Sequence, residues 1–230
     1  TEIIETVYDL QTNADLANRF WVWEDGTMAA VCTRGIEQPA GFAFPDRGTG
    51  YNYYDGAAWG PKPSERLESL RTGWPSIAGW GLNGEIVVSH DFADHNIIIL
   101  TREDKGTGPW SEAVFEGPEG GPGIVWPRMT TSGPENEHIH LFALTLPSGN
   151  GGSPWLGQDG ALLYSRSQDG GLTWDIEHEQ LDGIGEDHYL NISADDYILA
   201  AKGNTVVLVI GSPWYGPAKV PSRKYHPPMK

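Results

Sequence analysis

A unit of about fifty residues recurs along this chain of 230 residues, and that recurrence restricts the fold more than any other feature. Three segments reach a tryptophan through an Asp- or Gly-rich turn. They are Tyr53-Tyr54-Asp55-Gly56-Ala57-Ala58-Trp59, Thr101-Arg102-Glu103-Asp104-Lys105-Gly106-Thr107-Gly108-Pro109-Trp110 and Ser165-Arg166-Ser167-Gln168-Asp169-Gly170-Gly171-Leu172-Thr173-Trp174. Their tryptophans lie 51 and then 64 residues apart. Out of phase with these, Gly73-Trp74-Pro75-Ser76-Ile77 is echoed 52 residues later by Val125-Trp126-Pro127-Arg128-Met129. Each echo is followed by a polar turn and a strand-like run, Glu85-Ile86-Val87-Val88-Ser89-His90 and His138-Ile139-His140-Leu141-Phe142-Ala143-Leu144. Residues 204–210 and 27–33 fit the same slot.

Each unit reads as strand, turn, strand, loop, strand, Asp/Gly turn, strand. Four antiparallel strands per repeat describe a propeller blade, so the expected fold is an all-β β-propeller. The expected blades are residues 18–66, 72–118 and 123–181, with a partial fourth at 186–211. Thirty glycines and seventeen prolines suit a chain of short strands and tight turns. The best helical stretch, residues 63–71, is only two turns long. Cys32 is the only cysteine, which excludes an intramolecular disulfide and a CxxC site, and its neighbours Ala30, Val31 and Thr33 read as a buried strand. Apolar runs such as residues 97–100 and 206–210 have strand length, so membrane insertion is not expected. The net charge of −16 disfavours a phosphate backbone, so no nucleic-acid partner is expected. It also disfavours polyanionic glycans unless basic residues gather locally.

The stretch Ser167-Gln168-Asp169-Gly170-Gly171-Leu172-Thr173-Trp174 fits the pattern S/T-x-D-x-G-x-x-W without a mismatch. Physically, an Asp in a tight hairpin accepts hydrogen bonds from its own turn, Gly supplies positive φ, and Trp packs back as an apolar anchor. In this the chain resembles the Asp-box, or BNR-repeat, sialidase-like propellers. The stretches 46–56 and 160–167 are similar to secreted propellers of Bacteroidetes-type bacteria. The resemblance implies a secreted or cell-surface bacterial protein, and a structural role on the blade rim for Ser167, Asp169, Gly171 and Trp174. The degraded copies place Asp55, Trp59 and Trp110 in that role.

Sialidases of this pattern carry three arginines around a substrate carboxylate, the first in a Phe/Tyr-Arg-Ile-Pro motif. Here Asn18-Arg19-Phe20-Trp21-Val22 stands near that point and does not match. Arg128 occupies the inner-strand position facing the channel, where the preceding unit has Ser76, and a single arginine is no carboxylate clamp. Sialidase activity is therefore not expected. The run Ser89-His90-Asp91-Phe92-Ala93-Asp94-His95 groups imidazoles and carboxylates at a strand end. His90 and Asp91 are candidate acid/base groups, and Asp94 and His95 weak candidate metal ligands, against a plain hydrogen-bonded loop. His138 and His140 share a strand face, and His188 in Glu186-Asp187-His188-Tyr189 is a further candidate at the channel mouth. No pattern calls for a cofactor.

Three blades and part of a fourth do not make an ordinary closed ring. Self-association through open blades, a longer propeller or a truncated one are the readings this leaves. Residues 212–230, with five prolines and four Lys or Arg, break the repeat and form a compositionally distinct tail. The expected function is a binding module that takes a glycan or protein at the channel mouth. The alternative is a carbohydrate-active enzyme, hydrolase or lyase, using Arg128, His90, Asp91 and His188.

Overall fold

The computed structural model describes residues 1–11, 18–38, 44–203 and 205–211; the Pro-rich tail lies outside them. The described strands, in chain order, are β1 (Phe20–Val22), β2 (Met28–Arg34), β3 (Gly48–Tyr54), β4 (Thr72–Trp80), β5 (Gly84–Asp91), β6 (Ile97–Arg102), β7 (Ser111–Phe115), β8 (Ile124–Ser132), β9 (His138–Thr145), β10 (Leu162–Ser167), β11 (Ile176–Glu179), β12 (Tyr197–Lys202) and β13 (Thr205–Ile210). They form four antiparallel sheets in sequential order: β1-β2-β3, β4-β5-β6-β7, β8-β9-β10-β11 and β12-β13. The protein is all-β and propeller-like, with β4 and β8 at the inner edges of the two four-stranded sheets.

The sheets stack face to face, and the register of each pair sorts its residues between two faces. Ala29 and Val31 of the first sheet pack with Ile77, Val87 and Leu100 of the second. The second sheet's other face, with Ala78, Ile86, Val88, Ile97 and Ile99, meets Met129, Ile139, Leu141, Ala143 and Leu163 of the third. The third sheet turns Val125, Phe142, Leu144, Leu162 and Tyr164 toward Tyr197 and Leu199 of the last. A sheet covered on both faces has no need of alternation, which explains the unbroken run Ile97-Ile98-Ile99-Leu100 in β6, buried throughout. β13 is covered on one face only, and its Val207 and Val209 point outward, half exposed.

The two Trp-Pro echoes become the same structure. The register of β4 against β5 slips between Gly73 and Ser76, and that of β8 against β9 between Val125 and Arg128. Proline has no N–H for a ladder, so each pair is accommodated as a bulge. Trp74 and Trp126 sit there at φ 55° and 51°, in the left-handed region that bulky residues rarely occupy. Each bulged Trp N–H is captured by a side chain from the second strand of the preceding sheet: Thr33 Oγ1 at 3.1 Å for Trp74, His90 Nδ1 at 3.2 Å for Trp126.

Two expectations change. The first sheet has three strands, its fourth reduced to a bridge between Tyr54 and Trp59, because Pro61 and Pro63 interrupt the ladder that would follow. Residues 63–71 form no helix. Leu67 donates its N–H to Thr49 O, and the buried Glu68 carboxylate accepts from Thr49 N at 2.8 Å and Ser89 Oγ at 2.7 Å. Tertiary hydrogen bonds thus hold this segment in an irregular, bent path and not in a helix.

At residues 167–174, Asp169 Oδ1 accepts from Ser167 Oγ at 2.8 Å and Thr173 N at 2.9 Å, and Ser167 Oγ accepts from Gly171 N at 2.8 Å. Gly170 and Gly171 have φ 75° and 94°, which only glycine adopts without strain. Trp174 lies on Phe115 with ring centroids 4.4 Å apart, and Trp80 Nε1 donates to Gly170 O, tying the hairpin to the second sheet. Asp55 Oδ1 accepts from the N–H groups of Ala57 and Ala58, each at 2.8 Å. Trp59 packs on Tyr54, and Trp110 on Tyr51. Asp169→Ala is expected to lower Tm measurably and to speed protease nicking between residues 168 and 173, because the Thr173 N–H and the Ser167 and Thr173 hydroxyls lose their acceptor. Unchanged nicking would show that the glycines alone set the turn.

Candidate functional site

The end of the stack at which β1, β4, β8 and β12 begin carries Arg19, Arg47, Arg71 and Arg128 together with Trp74, Trp126 and His90. The inner elements converge there: Ile77 donates its N–H to Asn18 O, and Asn18 Nδ2 reaches Met129 O at 2.9 Å, joining the start of β1 to β4 and β8. Arg19 follows Asn18. Arg128 follows the Trp126 bulge and points toward the last sheet, where its Nη2 donates to Ala194 O at 2.9 Å and its guanidinium lies 5.1 Å from the Tyr197 ring.

The Arg19 backbone carbonyl accepts from the Val31 N–H, but its buried Nη1 has no hydrogen-bond partner, and its side chain forms no ion pair among the described residues. Burial lowers its pKa to about 10, with the neighbouring Arg128 charge acting in the same direction. It remains charged at neutral pH. Arg47 is 6% exposed and donates to Tyr8 Oη at 3.1 Å. Its guanidinium lies 3.7 Å from the Phe92 ring centre and 5.6 Å from that of Trp74, while Arg71 approaches Phe92 to 4.6 Å. Burial lowers the pKa of Arg47 to about 10; Tyr8 opposes this and Arg71 reinforces it. Neither Arg19 nor Arg47 has a carboxylate partner among the described residues. In a chain of net charge −16, these arginines gather at one end, with the buried carboxylates of Glu68 and Asp91 close by.

His90 lies within the same cluster, stacked on Trp74 at 5.4 Å and edge-on to Trp126 at 6.1 Å. Burial holds its pKa down to about 3, helped by the charges of Arg47, His95 and Arg128. Its Nδ1 is occupied by the Trp126 N–H, the task Thr33 performs one sheet earlier. Asp91 is 2% exposed and organises its loop: Oδ1 accepts from the N–H groups of Ala93, Asp94 and His95, and Oδ2 from Asn96. A carboxylate bound in this way is held by four donors and is not placed to shuttle protons. Asp94 is exposed, and His95 contributes its backbone carbonyl to Ile124 N. Among the described residues, no three His, Cys, Asp or Glu side chains are grouped as a metal ion would require.

The structure therefore brings Arg128 and His90 together and leaves His188 apart. His188 is exposed on the loop before β12, its N–H bonded to Gly185 O. His138 pairs loosely with Glu137 at 3.6 Å. His140 is buried between Ser132 Oγ at 2.9 Å and Tyr164 Oη at 2.8 Å, and burial lowers its pKa to about 4. Sequence reasoning missed Arg19 and Arg47. The available signal for Arg19 was its place immediately before the first inner strand, set aside because the surrounding motif did not match. Cys32 is partly buried on β2, a free thiol whose pKa burial raises to about 11.

No family model matches this chain, and no curated protein matches it. Among solved structures it is similar to an exo-inulinase from Aspergillus awamori, with 18% identity, a TM-score of 0.37 and coverage of 78% of this chain and 39% of that one. The chain thus spans about two fifths of that enzyme's length, and no residue role is taken from the similarity.

Proposed function

We propose that this chain is a binding module, secreted or displayed at the bacterial surface, which holds an acidic glycan at the end of the stack where β1, β4 and β8 begin. One observation carries the reading: the Arg19 guanidinium, largely buried beside that of Arg128, has no partner among the described residues. A buried charged donor without an acceptor is costly, and a ligand carboxylate would supply the missing one. Trp74, held at positive φ and partly exposed, borders this place between His90 and Arg47. Backbone strain of this kind is concentrated at ligand sites. The binding reading stands ahead of the catalytic one because Asp91 and His90 already serve backbone N–H groups.

Calorimetric titration with uronate-containing oligosaccharides and with their carboxyl-reduced counterparts tests this. The acidic sugar is expected to bind and the reduced one to bind at least about tenfold more weakly, since a charge-assisted hydrogen bond contributes roughly 1.5–3 kcal/mol. Arg19→Gln is expected to remove the difference. Equal affinity for both sugars would sink the carboxylate reading. Turnover of the polysaccharide, abolished in Arg128→Ala or Asp91→Ala, would replace the module with an enzyme.

A further inference from the structure

Arg19 Nη1 and Arg47 Nε are buried without a hydrogen-bond partner, and neither side chain has a carboxylate beside it among the described residues. Arg34 Nε and Arg102 Nη2 are also buried, but those side chains are ion-paired with Asp46 and Glu85. The buried carboxylates at the site end are already committed. Glu68 accepts from Thr49 and Ser89, and Asp91 from four loop N–H groups. Each of the two arginines also has a second one as its neighbour. The Arg128 charge acts on Arg19, and Arg47 and Arg71 share the Phe92 ring, 3.7 and 4.6 Å from its centre. Like charges held together repel, and an anion placed against both removes that cost. Contact with a ring uses the face of a guanidinium and leaves the donors in its plane, of which Tyr8 Oη takes one from Arg47. Tyr8 acts on Arg19 as well as on Arg47, so it stands between the two pairs. Trp74, His90 and Trp126 form a row of rings from Arg47 to Arg128, whose Nη1 donates to Trp126 O at 3.3 Å. Arg19 precedes β1 and Arg47 precedes β3, with β2 between them, so their strands lie about 10 Å apart across the sheet. A single carboxylate held at Arg19 leaves Arg47 unserved.

We propose that the site takes a ligand with two acidic groups, the first held at Arg19 and Arg128 and the second at Arg47 and Arg71. The glycan is then an oligouronide, acidic at more than one residue. This rests on the reading of this end as a site for an acidic glycan, and it names which acidic glycans the site prefers. The second group adds to a ligand that Arg19 already anchors, so it shows as selectivity for the number of charges. A monosaccharide acid reaches one pair of arginines. A chain with several uronates follows the row of rings and reaches both.

Calorimetric titration of the full chain with three trimers tests the proposal: trigalacturonate, the same trimer reduced to a single carboxyl, and the fully reduced trimer. Trigalacturonate is expected to bind at least about tenfold more tightly than the one-carboxyl trimer, the effect of one charge-assisted hydrogen bond. The one-carboxyl trimer is in turn expected to bind more tightly than the neutral one. Arg47→Gln, with an unchanged far-ultraviolet spectrum, is expected to erase the first advantage. Arg166→Gln, in a surface pair with Asp175, removes the same charge and is expected to keep both advantages. Should Arg47→Gln fail to fold, the three trimers on the unmodified protein still decide whether two carboxylates are used. Equal affinity for trigalacturonate and the one-carboxyl trimer would overturn the two-acid proposal and leave the single-carboxylate site standing. A one-carboxyl trimer that binds no better than the neutral one would overturn the acidic-glycan site itself. A tenfold advantage that persists in folded Arg47→Gln would overturn the assignment of the second acid to Arg47.

Discussion

Taking this protein from pH 7 to pH 5 is expected to lower its unfolding free energy by about 3–4 kcal/mol, shared between two histidines at about 2 each. His90 and His140 are buried and neutral, with pKa values held down to about 3 and about 4 against an unfolded value of 6.5. Between pH 6.5 and pH 4 the unfolded chain binds protons that the native chain refuses. The unfolded state therefore gains as pH falls, and stability rises with pH through that window. Neither imidazole can accept a proton without loss. His90 would lose its acceptor function toward the Trp126 N–H, and His140 lies between Ser132 and Tyr164 hydroxyls away from solvent. The depressed carboxylates, Asp175 among them with a pKa of about 2 from its bond to Arg166, act in the same direction only at still lower pH. Relief of self-repulsion in a chain of charge −16 opposes the trend and reduces the observed slope. Urea unfolding across this range measures the sum. His140→Gln should flatten the curve by about half. A midpoint independent of pH from 7 to 5 would refute the assignment of both histidines as neutral.

The strands were legible because alternation and β-branched runs are local properties, and the Trp-Pro echo marked equivalent places in successive sheets. What the echo meant was not legible. That Trp74 and Trp126 would be bulged at positive φ, each N–H captured by a neighbouring sheet, depends on Thr33 and His90 arriving from 41 and 36 residues away. For the same reason His90 and Asp91 looked like acid/base groups in sequence. A carboxylate accepting four loop N–H groups and one free to move a proton are written with the same letters. Residues 63–71 failed as a helix because Glu68 finds better partners in Thr49 and Ser89 than a helix offers it. Arg19 and Arg128, 109 positions apart, meet only because three inner elements converge. The local motif around Arg19 carried no sign of that meeting.

Glu85→Ala is expected to cost about 3–5 kcal/mol, the usual consequence of removing one partner of a buried ion pair. Nothing in the sequence sets Glu85 apart from the exposed carboxylates around it, yet its side chain is fully buried. Its carboxylate accepts from Tyr51 Oη at 2.8 Å, from the Arg102 guanidinium and from Gly106 N at 3.0 Å. Arg102 in turn lies 4.8 Å from the Tyr51 ring and 4.4 Å from that of Trp110. Burial and the Glu85 charge raise the Tyr51 pKa far above the usual phenol value, so it donates its proton at any accessible pH. Removing the carboxylate leaves a guanidinium, a phenol and a backbone N–H without this acceptor in the joint between the first and second sheets. Glu85→Gln keeps the shape and one acceptor, and should cost less. Combining Glu85→Ala with Arg102→Met should cost much less than the sum of the single changes, because the stranded charge goes with its partner. Additive single costs would show that the pair is not coupled. The same joint aligns Arg19 and Arg47, from the first sheet, with Trp74 and His90 from the second. A variant that loosens it without unfolding the chain should therefore weaken binding of acidic sugar more than its distance from Arg19 suggests, with affinity and stability falling together across the Gln and Ala variants.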